Sequence, residues 1–315
     1  MKKIQVIDLV RSLSILVVLS GHLQAIFVNN GSKIYPLEYL WYKFWLNHPF
    51  GVSVFFVVSG YLITRLLARD GPGLFKPDLR NFYSRRVGRI IPLLGLACLI
   101  EVAFTRLFDT QSPQFKNCFG SPPGASTGTF WFYLCTFSAN WYRIIHWKQT
   151  INLGLQFNIF WSLSIEEQFY LFYPFILSLL GKERNLYCFL ALMILLGPLS
   201  LILGYHLLPY NNIVLQNSFA AFNLIAMGCL LYLVSERLQN SLRARKVLSL
   251  LLCASGILIF LVFYTHVYVR GDDTWEIWAN SMVGVGTFLF LLGGLHLDLF
   301  EGKTGAFLGF PGKLS

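Results

Sequence analysis

"VIDLVRSLSILVVLSGHLQAIFV", Val6 to Val28, decides the fold. It is long and apolar enough to cross a bilayer, whose ~30 Å hydrocarbon core takes about 20 residues of helix. Yet it holds Asp8 and Arg11 near its start and His22 well inside. Arg11 and His22 are separated by ~1,100° at ~100° per residue, within ~20° of three full turns, so they share one helix face. The rise between them is ~16 Å, which puts His22 near mid-bilayer when Arg11 stands at the inner headgroups. An ionisable group at that depth is costly and turns into the bundle or a wet cavity.

The rest of the chain supports a membrane reading. Of its 315 residues 55% are hydrophobic and 13% charged, against roughly 25% charged in a soluble domain, and the mean hydropathy is +0.58. Further apolar spans read as Phe50 to Leu67, Ile90 to Phe108, Trp161 to Leu180, Leu186 to Leu208, Phe219 to Ser235, Val247 to Val269 and Trp278 to Leu297. The expected fold is all-α, a multi-pass bundle of about eight to ten spans forming one domain over residues 1–315.

The formal charge of +10 does not point to nucleic acid, because Lys and Arg sit in short connections between apolar segments. Basic loops stay cytoplasmic. That places Arg65 to Arg89, the Lys182 and Arg184 loop, and Arg237 to Lys246 inside, with the N-terminus cytoplasmic. All three remain inside only when Thr129 to Ile144, short and rich in aromatics, is re-entrant or interfacial. A full crossing there breaks the charge rule twice. Lys2 and Lys3 precede the first apolar run as in a secretory signal, but Asp8 and Arg11 interrupt it and no A-x-A site follows. Six scattered cysteines, Cys118 in a polar loop, show no C-x-x-C spacing, so neither a metal nor a disulfide framework is indicated. No G-x-x-x-x-G-K-[ST], G-x-G-x-x-G or H-E-x-x-H pattern occurs.

Four stretches carry the chemistry. In the first helix His22 can take and return a proton near neutral pH, or it can serve as an interhelical hydrogen bond while Arg11 snorkels to lipid. In "GVSVFFVVSGYLIT", Gly51 to Thr64, Ser59 offers a hydroxyl and Gly60 lets a helix or ligand approach. In "NFYSRRVGRIIP", Asn81 to Pro92, Arg86 and Arg89 stand at i and i+3 and Arg85 at i−4 from Arg89. Placed at the first turn of the third span, these guanidiniums make a fork-like cluster at the cytoplasmic mouth, suited to the phosphates of coenzyme A or to orientation and anionic lipid. In "FWSLSIEEQFYLFYP", Phe160 to Pro174, the residues Ser162, Glu166, Tyr170 and Tyr173 form a polar stripe, with Glu167 turned ~100° away toward the outer interface. Glu166 is either neutralised in place or orients His22. The other histidines, His48, His146, His206, His266 and His296, fall near span ends where an imidazole stays wet.

In order and spacing these stretches closely resemble acyltransferase family 3, multi-pass membrane enzymes that O-acylate extracytoplasmic carbohydrates such as O-antigen, peptidoglycan and exopolysaccharide. The resemblance covers about the first 175 residues, from "IDLVRSLSILVVLSGH" to "WSLSIEEQFYLFYP"; beyond them only hydropathy agrees. It implies an acyl-CoA donor, most often acetyl-CoA, at the cytoplasmic mouth, a carbohydrate acceptor on the far side, lipids around the bundle, envelope-assembly proteins as partners and no tightly bound cofactor. The location it implies is the plasma (inner) membrane. His22 matches the family's essential histidine, Arg11, Arg86 and Arg89 its motif arginines, and Glu166 the glutamate of W-S-L-x-x-E-x-Q-F-Y, where Trp161, Ser162, Gln168 and Tyr170 also match. Asp8, Ser59, Gly60 and Tyr61 are expected in support. His22 is expected to act as general base or transient acyl acceptor. Relatives usually continue past "GFPGKLS" into a final span, so the chain is expected to be incomplete at its C-terminus. The competing functions are a proton-coupled transporter, in which His22 and Glu166 relay protons, and an inactive scaffold for envelope assembly.

Overall fold

The computed structural model of the chain describes residues 5–28, 49–107, 132–145, 160–207, 216–270 and 273–297. The described elements are α1 (Gln5–Val28), α2 (Pro49–Asp70), α3 (Leu79–Leu107), α4 (Ala139–Ile145), α5 (Phe160–Leu180), α6 (Glu183–Leu207), α7 (Ser218–Ala244), α8 (Lys246–Arg270) and α9 (Asp273–Gly294). Among the described residues there is no strand. By length and composition α2, α6, α7 and α8 are each able to cross a membrane, and Trp278–Gly294 is a shorter apolar helix.

The chain divides into two compact units. The first comprises residues 1–63, 187–215 and 219–315, and therefore α1, most of α2 and α6, nearly all of α7, and α8 and α9. Within it, α2 and α7 cross backbone to backbone. A Cβ added at Gly60 would stand 1.9 Å from the Ile225 carbonyl oxygen, and one added at Gly228 would stand 1.9 Å from that of Val57. Only glycine permits so close a crossing, the small-residue packing of membrane helices. Val57, Val58, Leu224 and Ile225 around it are fully buried, and the Tyr61 ring meets Tyr232 edge-on at 5.8 Å. Polar side chains pair inside this unit as well: Ser53 Oγ donates to Asn280 Oδ1 at 2.7 Å, and Asn223 Nδ2 to Ser281 Oγ at 2.8 Å. By contrast, α6 and α8 turn Leu195, Leu203, Leu251 and Leu258 outward. Rows of exposed leucine suit a helix whose surroundings are hydrocarbon rather than water.

The second unit comprises residues 64–186 and 216–218. It contains α3, α4 and α5. The expected span from Ile90 is only the apolar part of α3, which starts at Leu79 because Asp78 caps it, its Oδ1 accepting from the Asn81 amide at 3.1 Å. α5 ends at Gly181, which takes φ 60, the left-handed closure that glycine adopts without a Cβ clash. The Thr129 to Ile144 segment is broken where it is described. Residues 132–135 are helical, Thr136 and Phe137 turn with Phe137 at φ 50, and α4 is a separate helix of 7 residues. α4 by itself is too short to cross a bilayer.

Candidate functional site

The second unit holds the densest group of the expected site residues. α3 and α5 run antiparallel, since Tyr83 stacks on Phe175 at 5.8 Å and donates to the Leu171 carbonyl at 2.7 Å, whereas Arg86, further along α3, meets residues earlier on α5. Pro174 in α5 has no amide hydrogen and leaves the carbonyl one turn before it without its helical donor. Tyr83 fastens α3 beside that irregular turn. One turn along α3, the Arg86 guanidinium lies over the Tyr170 ring at 3.6 Å and near Phe82 at 5.7 Å. Its Nη1 donates to Glu167 Oε1 at 3.1 Å, with the two side chains only 26% and 12% exposed. A salt bridge shielded in this way is far less screened than a surface pair.

Gln168, next on α5, is tied to the α4 segment. Its Nε2 donates to the Phe137 carbonyl at 2.6 Å and to Asn140 Oδ1 at 2.9 Å, and its Oε1 accepts from Ser218 Oγ at 2.6 Å. Asn140 Nδ2 in turn donates to Ser218 Oγ and to the Gln216 carbonyl, and Ser164 Oγ accepts from the Ala139 amide. A left-handed phenylalanine costs roughly 1–3 kcal/mol, and these bonds hold it there. In α4, desolvation lowers the Arg143 guanidinium to about 10, so it stays protonated at neutral pH.

Between α3, α5 and the Thr136–Phe137 turn lies a pocket of about 160 Å³. Phe82, Val87, Ile90, Ile91 and Leu171 give it an apolar wall, and Thr136, Arg86, Glu167 and Gln168 supply polar groups. This is the usual make-up of a small-molecule site, apolar with a few placed polar atoms.

The arginine cluster does not form a single fork. Arg85 Nη1 bonds Asp70 at 2.7 Å and its Nε bonds Asn81 Oδ1 at 3.0 Å, while Arg86 faces Glu167. Neighbours on a helix point ~100° apart, so Arg85 turns to the end of α2 and Arg86 to α5. Arg89 is exposed on α3. A second difference concerns depth. Arg86 was expected at the mouth and Glu167 toward the opposite interface, but their ion pair puts them at one level. About 20 Å of helix rise separates Glu167 from Leu180, the last residue of α5 before the Lys182 loop. The reason is that α3 begins well before its apolar run and carries the arginine turn alongside α5.

Of the polar stripe, Tyr170 and Tyr173 are buried, and the Tyr173 hydroxyl pairs with Thr64 Oγ1 at 3.1 Å. Glu166, Trp161 and Ser162 are part-exposed on the first turns of α5. In the first unit Arg11 lies over the Phe55 ring at 5.7 Å, Asp8 is part-exposed in the first turn of α1, and Ser59 is buried. Gly60 and Tyr61 serve the α2–α7 crossing rather than a ligand. His22 belongs to α1, and its side chain lies outside the described residues, as do those of His206 and His266. Cys118, His48, His146 and the "GFPGKLS" end are outside them altogether. Sequence reasoning turned Glu167 toward the outer interface without a role in the site, and it overlooked Asn140 and Thr64. The adjacent carboxylates of Glu166 and Glu167 were the one available signal, and only packing could say which would meet an arginine.

Residues 4–309 match a family model described as an acyltransferase domain. Among curated proteins the chain is similar to the O-acetyltransferase OatA of Staphylococcus aureus, 31% identical over 242 residues, covering 73% of this chain and 38% of that protein. It is also similar to the peptidoglycan O-acetyltransferase OatA of Listeria monocytogenes, 33% identical over 170 residues, covering 53% of this chain and 25% of that protein. The chain thus corresponds to less than two fifths of the length of these relatives. No solved structure matches it.

Proposed function

The chain belongs to acyltransferase family 3, and from that membership we propose that it transfers an acyl group, acetyl first, from acyl-CoA to a hydroxyl of an envelope carbohydrate. The observation that carries the reading is the match of residues 4–309, nearly the whole chain, to an acyltransferase model. The names of the relatives make peptidoglycan the first acceptor to test. The donor arrives from the cytoplasm, and the setting is the plasma membrane. In this reading His22 removes the proton from the acceptor hydroxyl or takes the acyl group transiently. Arg86 and Arg89 hold the donor's phosphates by charge-assisted hydrogen bonds. Low local polarity strengthens each of these contacts.

The test is to incubate membranes containing the full chain with labelled acetyl-CoA and count label in purified envelope glycan. His22→Ala is expected to reduce incorporation by at least ~100-fold, the typical weight of a positioned proton-transfer group, with membrane abundance unchanged. Wild-type incorporation in that variant refutes the assignment of His22. No incorporation by the unaltered chain refutes acyl transfer to glycan.

A further inference from the structure

We infer that Glu167 is a positioning residue, which holds the Arg86 guanidinium over the Tyr170 ring so that its remaining N–H groups meet the acyl donor in the adjoining pocket. The inference rests on the proposed acyl transfer. Three observations support it. First, Arg86 is fixed from two directions, by the Glu167 carboxylate at 3.1 Å and by the Tyr170 face at 3.6 Å. An arginine has five N–H donors in a rigid fork. One bond to Glu167 spends only part of that capacity, so the pair fixes the group without saturating it.

Second, the elements bearing the pair are themselves in fixed register. Tyr83, on the turn of α3 before Arg86, is bonded to the Leu171 carbonyl, and Gln168, adjacent to Glu167, is held by Phe137, Asn140 and Ser218. A binding group whose supporting shell is locked loses little freedom when ligand arrives. Third, Arg86, Glu167 and Tyr170 all line the same pocket of about 160 Å³, so the pair borders space a ligand can enter rather than sealed core.

An ion pair that served only to join α3 to α5 would work with its charges exchanged. A pair that presents a cation from α3 would not. The experiment follows donor dependence of acetyl transfer in membranes, with acetyl-CoA varied, for the unaltered chain, Glu167→Gln, Glu167→Asp, and the exchange Arg86→Glu with Glu167→Arg. Glu167→Gln is expected to raise the donor KM on the order of tenfold or more, the weight of one hydrogen bond to a charged group, with kcat within about twofold. Glu167→Asp is expected to fall between it and wild type. The exchanged protein is expected to accumulate and to transfer nothing.

Unchanged KM in Glu167→Gln overturns the inference, as does a lost kcat at unchanged KM, which would make the carboxylate a proton-transfer group. Transfer restored in the exchanged protein also overturns it, because the pair would then be a structural clip. Where Glu167→Gln does not accumulate, Glu167→Asp decides: a raised KM supports the inference and a wild-type KM sinks it. An inactive unaltered chain overturns both this inference and the acyltransferase reading, whereas an active one with a normal Glu167→Gln variant overturns only this one.

Discussion

Gln168 shows how much one uncharged side chain can organise at the residue scale. It supplies donors to Phe137 and Asn140 and an acceptor to Ser218, so a single amide joins α5 to the turn, to the start of α4 and to the start of α7. Gln168→Ala strips these groups of a partner where each unmet buried polar group costs ~1–3 kcal/mol. A loss of about 3 kcal/mol is expected, read as a fall in the unfolding midpoint of the detergent-solubilised protein. An unchanged midpoint would show that water replaces the amide. The same residue-scale logic separates the two glutamates. Sequence pattern singled out Glu166 through the family signature, whereas Glu167 became visible only as the carboxylate that meets Arg86.

At the scale of elements, the α2–α7 crossing rests on two glycines, Gly60 facing the Ile225 carbonyl and Gly228 that of Val57. Gly60→Val is expected to abolish accumulation of folded protein, because its Cβ would stand 1.9 Å from the Ile225 oxygen and neither backbone can withdraw without parting the helices. Gly95→Ala is the matched control. Nothing lies within 4 Å of a Cβ there, so the exchange is expected to be neutral or stabilising by about 0.5–1 kcal/mol through helix propensity. Quantifying monodisperse protein after solubilisation compares the two, and equal yields would contradict the packing account. Boundaries of the apolar helices were legible in hydropathy, as α5 over Phe160–Leu180 illustrates. The start of α3 was not, since its first turns are rich in arginine and their helicity comes from the Asp78 cap and from packing on α5.

For the whole molecule, the basic loops set the expected orientation. With native cysteines replaced, Lys182→Cys and Lys246→Cys are both expected to resist a membrane-impermeant thiol reagent in intact cells and to react after permeabilisation. Labelling of either from outside would reverse that part of the topology. The break at Thr136 and Phe137 is the kind of interruption that a re-entrant segment tolerates where its backbone is buried in protein.

The chain's membrane character, its helical class and its family were determined by sequence alone, because apolar length and the order of four polar motifs are properties of the string itself. Tertiary structure decided which charges meet: Arg85 with Asp70, Arg86 with Glu167 and Tyr170, and Gly60 with a helix rather than a ligand. Such pairings depend on how far one helix slides along another, and a shift of a single turn, about 5.4 Å, exchanges every partner while leaving hydropathy unchanged.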